Sequence, residues 1–369
     1  MIKNDKNILI IDDSALMRRV ISDIIETDRR FHVIGVAVNG LAGLSMLHEN
    51  AGKVDAVLLD INMPVMNGIE FLEEIKKRNI HTAVIVVSAV TTKDAKETIL
   101  ALELGAFDFI TKPDGLEELK SNSFSEKLIH CLTAATKLRI AKPQRLVITE
   151  QPAFQAEEEE KLPPSIKKRH RGPDRLKDKL VAIACSTGGP KALNTIIPSL
   201  PKALNAGVVI VQHMPEGFTK SLAERLNSIS QISVKEAEDG ELLKKGWVYI
   251  ARGGMQLRVV KDGQGNHILR LTKEEPRAGL MPCADVLYES LADSNYSEIT
   301  CVVLTGMGGD GSAGITRLNK DKNIHVIAQD RKTSAIYGMP KMIKATGLVD
   351  EVVPLNEVSD AITKNVGVQ

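Results

Sequence analysis

A chain of 369 residues is longer than one hydrophobic core usually serves, so two domains are expected. With 48 Lys and Arg against 47 Asp and Glu, the formal charge of +1 gives no pull toward nucleic acid or an anionic membrane surface. The opening MIKNDKNILIIDD lacks the long apolar core of a signal peptide, and no apolar run approaches the ~20 residues of a membrane span. Cys131, Cys185, Cys283 and Cys301 lie in or beside apolar segments without C-x-x-C spacing. That is the usage of a reduced, cytoplasmic protein, not of a disulfide frame or zinc site.

Short apolar runs at residues 8–11, 33–36, 54–59, 83–87 and 107–110 alternate with amphipathic stretches at 15–26, 41–48, 68–77 and 92–104. Gly105 ends the last of these as a C′ residue. Strands of this kind, separated by helices, build a parallel sheet covered on both faces, with ligand chemistry at the strands' carboxyl ends. One more amphipathic stretch, 116–138, completes the unit. From 139 to 178 the composition shifts to scattered prolines, an acidic run at 157–160 and a basic cluster at 167–171. With too few apolar residues for a core, this segment reads as a flexible linker, and the cluster lacks the aromatic partners of a nucleic-acid patch.

Alternation resumes in LVAIACSTGGPK, residues 180–191. An apolar strand runs into Cys185, Ser186, Thr187 and a Gly pair, Pro190 suits a first helical turn, and a helix opens at Lys191. Ser186 thus stands at a strand-to-helix turn, beside free N–H groups and the positive end of a helix dipole. Further strands are expected at 208–212, 299–305 and 324–328, and helices at 218–228, 283–293 and 315–320. Between them, runs at 247–251, 256–260 and 267–272 read as antiparallel hairpins. The expected architecture is α/β throughout. A doubly wound five-stranded parallel domain (5–138) and a linker (139–178) precede a doubly wound α/β hydrolase-type domain with a β-hairpin insertion (179–369).

In the first domain Asp12-Asp13, Asp60, Ser88 and Lys112 all fall at strand carboxyl ends. Three carboxylates on one pocket call for a hard cation such as Mg²⁺, and a Lys and a hydroxyl nearby suit phosphoryl transfer onto one aspartate. This set, with the turn Asp60-Ile-Asn-Met-Pro-Val-Met-Asn-Gly68, closely resembles the receiver domain of two-component response regulators over residues 5–125. The resemblance implies Asp60 as phospho-acceptor and Mg²⁺ held by Asp12, Asp13, Asp60 and the Asn62 carbonyl. It also implies phosphoryl sensing by Ser88 and Lys112, a cis Lys112–Pro113 bond, and Phe109 as the aromatic switch.

In the second domain His213 follows one strand and Asp310 another. A Ser, a His and an Asp at carboxyl ends of one sheet can form nucleophile, base and orienting carboxylate in any chain order. Backbone N–H groups at Thr187 and in the Met307 loop are the oxyanion candidates. Two competing patterns stand beside this one. Gly306, Gly308 and Gly311 satisfy G-x-G-x-x-G, with Asp330 where a ribose-binding acid would sit. Cys185 is a second nucleophile candidate, although the end of an apolar strand favours a buried side chain.

Residues 178–356 resemble the catalytic domain of the chemotaxis receptor methylesterases. The resemblance lies in Ser-Thr-Gly-Gly (186–189), Gln-His-Met-Pro (212–215), Leu-Thr-Gly-Met-Gly-Gly-Asp-Gly (304–311) and Tyr-Gly-Met-Pro (337–340). It implies Ser186 as nucleophile, His213 as general base and Asp310 as its orienting carboxylate, with no cofactor for the ester chemistry. It further implies methylated chemoreceptors as substrate, deamidation of receptor glutamines as a second activity, and a chemotaxis histidine kinase as phosphodonor. The chain departs from the family pattern at Cys185, Arg252 and residues 276–283. The readings still open are a phospho-switched binding protein with a silent second domain and a dinucleotide-binding oxidoreductase. A transcription factor lacks the helix-turn-helix it would need.

Overall fold

The computed structural model describes residues 6–89, 91–113, 115, 122–137 and 178–369. Five strands, β1 (Lys6–Ile11), β2 (Phe31–Ala37), β3 (Ala56–Asp60), β4 (Ala83–Ser88) and β5 (Asp108–Thr111), make a parallel sheet in the order β2-β1-β3-β4-β5. Around it pack α1 (Ala15–Thr27), α2 (Gly40–Glu49), α3 (Gly68–Lys77), α4 (Thr92–Leu104) and α5 (Asn122–Lys137). Central β1 and β3 are buried on both faces, which explains their unbroken apolar runs. Helix starts follow local chemistry: Ser14 caps α1, and Asn67 with Glu70 forms a reciprocal capping box on α3.

The second sheet has seven strands: β6 (Lys179–Cys185), β7 (Ala206–Gln212), β8 (Ser233–Glu236), β9 (Trp247–Ile250), β12 (Glu298–Val303), β13 (Ile324–Gln329) and β14 (Glu351–Val353). Their order is β14-β13-β12-β6-β7-β9-β8, parallel throughout. The winding reverses between β6 and β12, and a crevice opens at the carboxyl ends of β6, β7 and β12. The helices are α6 (Gly189–Ile196), α7 (Phe218–Ile229), α8 (Ala284–Ser290), α9 (Ser312–Asp321), α10 (Met339–Ala345) and α11 (Val358–Val366).

Two expectations change. Only β10 (Gln256–Lys261) and β11 (His267–Thr272) pair as an antiparallel hairpin; Trp247–Ile250 lies in the main sheet, parallel to β7 and β8. Val248, Tyr249 and Ile250 are buried on both faces, which a two-stranded hairpin could not provide. The Lys112–Pro113 bond is not cis; among the described residues Met281–Pro282 is. Strands β8 and β14, of four and three residues, are too short to show a pattern. The segment read as linker, apart from Asp178, lies outside the described residues, as does the start of the helix expected from 116.

The two sheets share one hydrophobic cluster. Phe109 of β5 stacks on Phe218 of α7 with ring centroids 4.7 Å apart. Beside this contact, Glu103 of α4 accepts a hydrogen bond from Arg225 of α7, and Lys96 faces Glu224 at 3.6 Å. Exposed ion pairs contribute about 0–1 kcal/mol, whereas a stacked aromatic pair adds about 0.5–1.5 kcal/mol beyond its area, so apolar contact dominates the docking.

Val65, in the turn after β3, is 77% exposed with φ of 68°, a left-handed conformation that a β-branched residue adopts at a cost of roughly 1–2 kcal/mol. Val65→Asn is expected to raise the urea midpoint by the equivalent of about 0.5–1 kcal/mol; an unchanged or lower midpoint would show that the turn is unstrained.

Candidate functional site

Two clusters form where strand ends converge. In the first sheet Asp12 and Asp60 are 1% and 5% exposed, while Asp13 and Asn62 lie at the surface. Carboxylate oxygens of Asp12, Asp13 and Asp60 stand within 4.8 Å of one another. Lys112 Nζ reaches Asp60 Oδ2 at 2.8 Å and Asp12 Oδ2 at 3.0 Å. Burial pushes the Asp60 carboxyl up, against the hydrogen bond and charge of Lys112, and the Asp12 charge adds to the rise. For Lys112, burial acts downward but is outweighed by Asp60 and Asp12, so the ammonium is held above its ordinary range. Buried Asp12 Oδ2 has no well-aligned hydrogen bond, and the donors are all hard oxygens, so the pocket fits Mg²⁺. The Asn62 side chain donates to Asp94 at 2.5 Å, leaving its carbonyl as the group able to face a cation. Ser88 stands at its expected strand end, but its hydroxyl is engaged from α4: Thr98 Oγ1 donates to Ser88 Oγ at 2.8 Å.

The crevice of the second sheet is built by tight crossings. Ser186 N donates to Thr305 O (3.1 Å), and His213 N donates to Cys185 O (3.1 Å). Buried Gln212 donates from Nε2 to the carbonyls of Ser186 (3.0 Å) and His213 (3.2 Å), tying both loops together. Gly306 passes directly under Ser186; a Cβ there would lie 2.8 Å from Ser186 Cβ and 2.3 Å from Met339 Sδ. Among the described residues, no backbone carbonyl takes the N–H of Thr187 or of Met307.

His213 Nε2 and Asp310 Oδ2 are 2.7 Å apart. With Nε2 committed to a carboxylate it carries the proton, and Nδ1 is the ring nitrogen left to accept one. No hydrogen bond joins the Ser186 hydroxyl to His213 among the described residues. Asp310 also receives Ala284 N on Oδ2 (2.6 Å), and Asp285 N (3.0 Å), Gly311 N (3.0 Å) and Cys283 Sγ (3.1 Å) on Oδ1. Burial alone would raise this carboxyl, but the bond and charge of His213 and the N–H groups of Ala284 and Asp285 bring it down to about 2. Asp285 returns the clasp, its Oδ1 accepting from Gly311 N (2.9 Å) and Gly314 N (2.6 Å).

Above the crevice lies a cavity of about 780 Å³. One wall carries Ser186, His213, Asp310 and residues 277–283; the other belongs to the first domain, through Asp108, Phe109, Lys127 and His130. Burial pushes the Asp108 carboxyl up to about 6, against the Phe109 N–H, the Thr187 hydroxyl and the Cys131 thiol that face it.

The competing patterns fare differently in this geometry. Cys185 is 0% exposed, and burial pushes its thiol far above the ordinary range, which suits a core side chain. Asp310 turns its carboxylate to His213 inside the glycine loop, and Asp330 closes its own turn on Thr333. Gln212, Thr305, Cys283 and Asp285 hold the site together without a role that is legible in the sequence. Gln212 and Thr305 stand inside Gln-His-Met-Pro and Leu-Thr-Gly-Met-Gly-Gly-Asp-Gly, whereas nothing marks Asp285 apart from any acid in a first helical turn.

The sequence matches the CheB methylesterase family over residues 181–362 and the response regulator receiver domain over residues 8–123. It is 41% identical, over 97% of this chain and 98% of the other, to protein-glutamate methylesterase/protein-glutamine glutaminase 1 of Syntrophomonas wolfei. The protein of the same activities from Bacillus subtilis is 40% identical over 96% of this chain and 97% of its own. The crystal structure of the Thermotoga maritima CheB methylesterase catalytic domain, 42% identical, covers 51% of this chain and 99% of that one, with a TM-score of 0.49.

Native Cys185 is expected to resist iodoacetamide at mildly alkaline pH, where a free thiol of ordinary pKa reacts. Ester hydrolysis should survive Cys185→Ala. Rapid alkylation of Cys185, with activity lost in Cys185→Ala but kept in Ser186→Ala, would move the nucleophile to the cysteine.

Proposed function

Starting from the fact that this chain belongs to the CheB methylesterase family, we propose that it hydrolyses glutamyl methyl esters on chemotaxis receptors and deamidates receptor glutamines, under control of phosphorylation at Asp60. Residues 5–138 act as receiver, 179–369 as esterase and 139–178 as the joint between them. The observation that carries this reading is the 2.7 Å His213–Asp310 bond beside the Ser186 turn, with Nδ1 making no hydrogen bond among the described residues.

Ser186 Oγ attacks the γ-carbonyl of the ester while its proton passes to His213 Nδ1. Asp310 holds Nε2–H and stabilises the imidazolium, and the Thr187 and Met307 N–H groups receive the oxyanion. Collapse expels methanol, which takes the proton from His213. Water, deprotonated by the same nitrogen, then attacks the acyl carbon; the bond to Ser186 Oγ breaks, Oγ takes the proton back from His213, and the glutamate is released. With a glutamine side chain, ammonia leaves instead. No cofactor enters these steps.

In the receiver, Asp12, Asp13, Asp60 and the Asn62 carbonyl would hold Mg²⁺, which neutralises charge around an incoming phosphoryl group. A chemotaxis histidine kinase is the phosphodonor. The docked receiver, which forms one wall of the cavity, acts on this reading as the barrier that keeps a receptor helix bundle from Ser186. Phosphorylation turns Lys112 and Ser88 toward the phosphoryl oxygens, Ser88 leaves Thr98 on α4, and Phe109 withdraws from Phe218. A shift of ~2–3 kcal/mol in docking changes the open population by roughly 30- to 150-fold. Among the described residues no helix is long and apolar enough to cross a membrane, which fits action on receptors from the cytoplasm.

Ser186→Ala is expected to abolish methanol release from methylated receptor membranes, and Asp310→Asn to lose on the order of 10⁴ in turnover, as the matching change does in serine proteases. Methanol release surviving Ser186→Ala would defeat the mechanism.

Control is tested at the interface. Arg225→Glu, which faces Glu103 with a like charge, should raise unphosphorylated activity several-fold, and pairing it with Glu103→Arg should bring activity back down. Asp60→Asn should stay at the basal rate when phosphodonor is added. Equal basal rates in all the interface variants would show that docking does not restrain the site.

A further inference from the structure

Among the described residues Asp310 has two side-chain donors, His213 and Cys283. Cys283 is 2% exposed and occupies the N-cap of α8, yet makes no capping bond. The first N–H groups of that helix are closed by Asp310 instead, and the thiol points to Asp310 Oδ1 at 3.1 Å. Its backbone is fixed, because Cys283 N donates to Oε1 of fully buried Gln256 at 2.8 Å. The thiol therefore reaches the carboxylate from an anchored point. Burial, with the Asp310 charge behind it, pushes Cys283 up to about 12, so the sulfur keeps its proton and remains a donor.

We propose that Cys283 is a positioning residue for the esterase reaction, its S–H pinning Oδ1 of Asp310 so that Oδ2 faces His213 Nε2 in one orientation. The inference rests on the Ser186–His213–Asp310 reading. Without the thiol, the carboxylate is freer to rotate and blurs the imidazole's aim at Ser186. One donor fewer also leaves more negative charge to stabilise the imidazolium. The ionisable groups facing Asp310 are His213, Cys283, Asp285 and Tyr288; Arg277, beyond Asp285, is held by Glu289.

The test compares full-length wild type, Cys283→Ser, Cys283→Ala and Ser186→Ala. It follows methanol release from methylated receptor membranes against pH, and the titration of the His213 ring by NMR. Cys283→Ala should lose roughly 3- to 10-fold in kcat with KM unchanged. Its acid limb and the His213 midpoint should both move up by about half a pH unit. Cys283→Ser, which keeps a donor, should restore rate and midpoint. Cys283→Ala matching wild type in rate and midpoint overturns the proposal. So does Cys283→Ser failing as badly as Cys283→Ala at an unchanged unfolding midpoint, since the side chain would then only fill space. Activity surviving in Ser186→Ala overturns the esterase mechanism instead, and the NMR midpoint still reports on the Cys283–Asp310–His213 contact.

Discussion

A carboxylate taken out of water stays charged only if its oxygens are filled with donors, and the second domain is arranged around meeting that demand at Asp310. Three chain segments meet there: the loop after β7 brings His213, the start of α8 brings Cys283, Ala284 and Asp285, and the loop into α9 brings Gly311. Removing one side-chain donor leaves the backbone set in place, so the charge survives while its direction loosens. Removing the carboxylate strands the first N–H groups of α8, those of Ala284 and Asp285, at about 1–3 kcal/mol for each that finds no water, while Gly311 N keeps Asp285 as acceptor. The fold and the imidazole's orientation therefore depend on the same group.

The receiver shows the complementary economy. Lys112 bridges Asp12 and Asp60, and its hydrogen bond and charge act against the burial that pushes the Asp60 carboxyl up. On the strand that runs into Lys112, Phe109 reaches out of the receiver to stack on Phe218, and next to it Asp108 faces Thr187, the neighbour of Ser186. On the proposed reading, a charge placed on Asp60 is converted into motion along β5, and β5 is itself part of the wall of the crevice.

Most of the fold was legible in the sequence because parallel strands buried on both faces cannot be polar. The sheet of the receiver and strands β6, β7, β12 and β13 announce themselves as apolar runs. Trp247–Ile250 is the instructive exception. Glycines on its carboxyl-terminal side resemble hairpin turns, and whether an apolar run pairs with its neighbour or crosses to a distant strand is decided by tertiary burial. The candidate site was legible to the extent that its residues sit at strand ends: Ser186, His213 and Asp310 could be picked out, as could Asp12, Asp60, Ser88 and Lys112. Cys283, Asp285 and Thr98 could not, because each acts by bonding to a side chain or loop of another element. Such partnerships leave no periodicity.

The docked receiver stands beside the crevice without filling it, and about 780 Å³ remains above Ser186. On the proposed reading that volume would admit a compact ester while refusing a bundle of helices, so the undocked and docked forms would differ in which molecules they admit, not in whether the chemistry can run. The protein in its resting arrangement would then behave as a sieve, and assays with small soluble esters would register the serine and miss the regulation altogether.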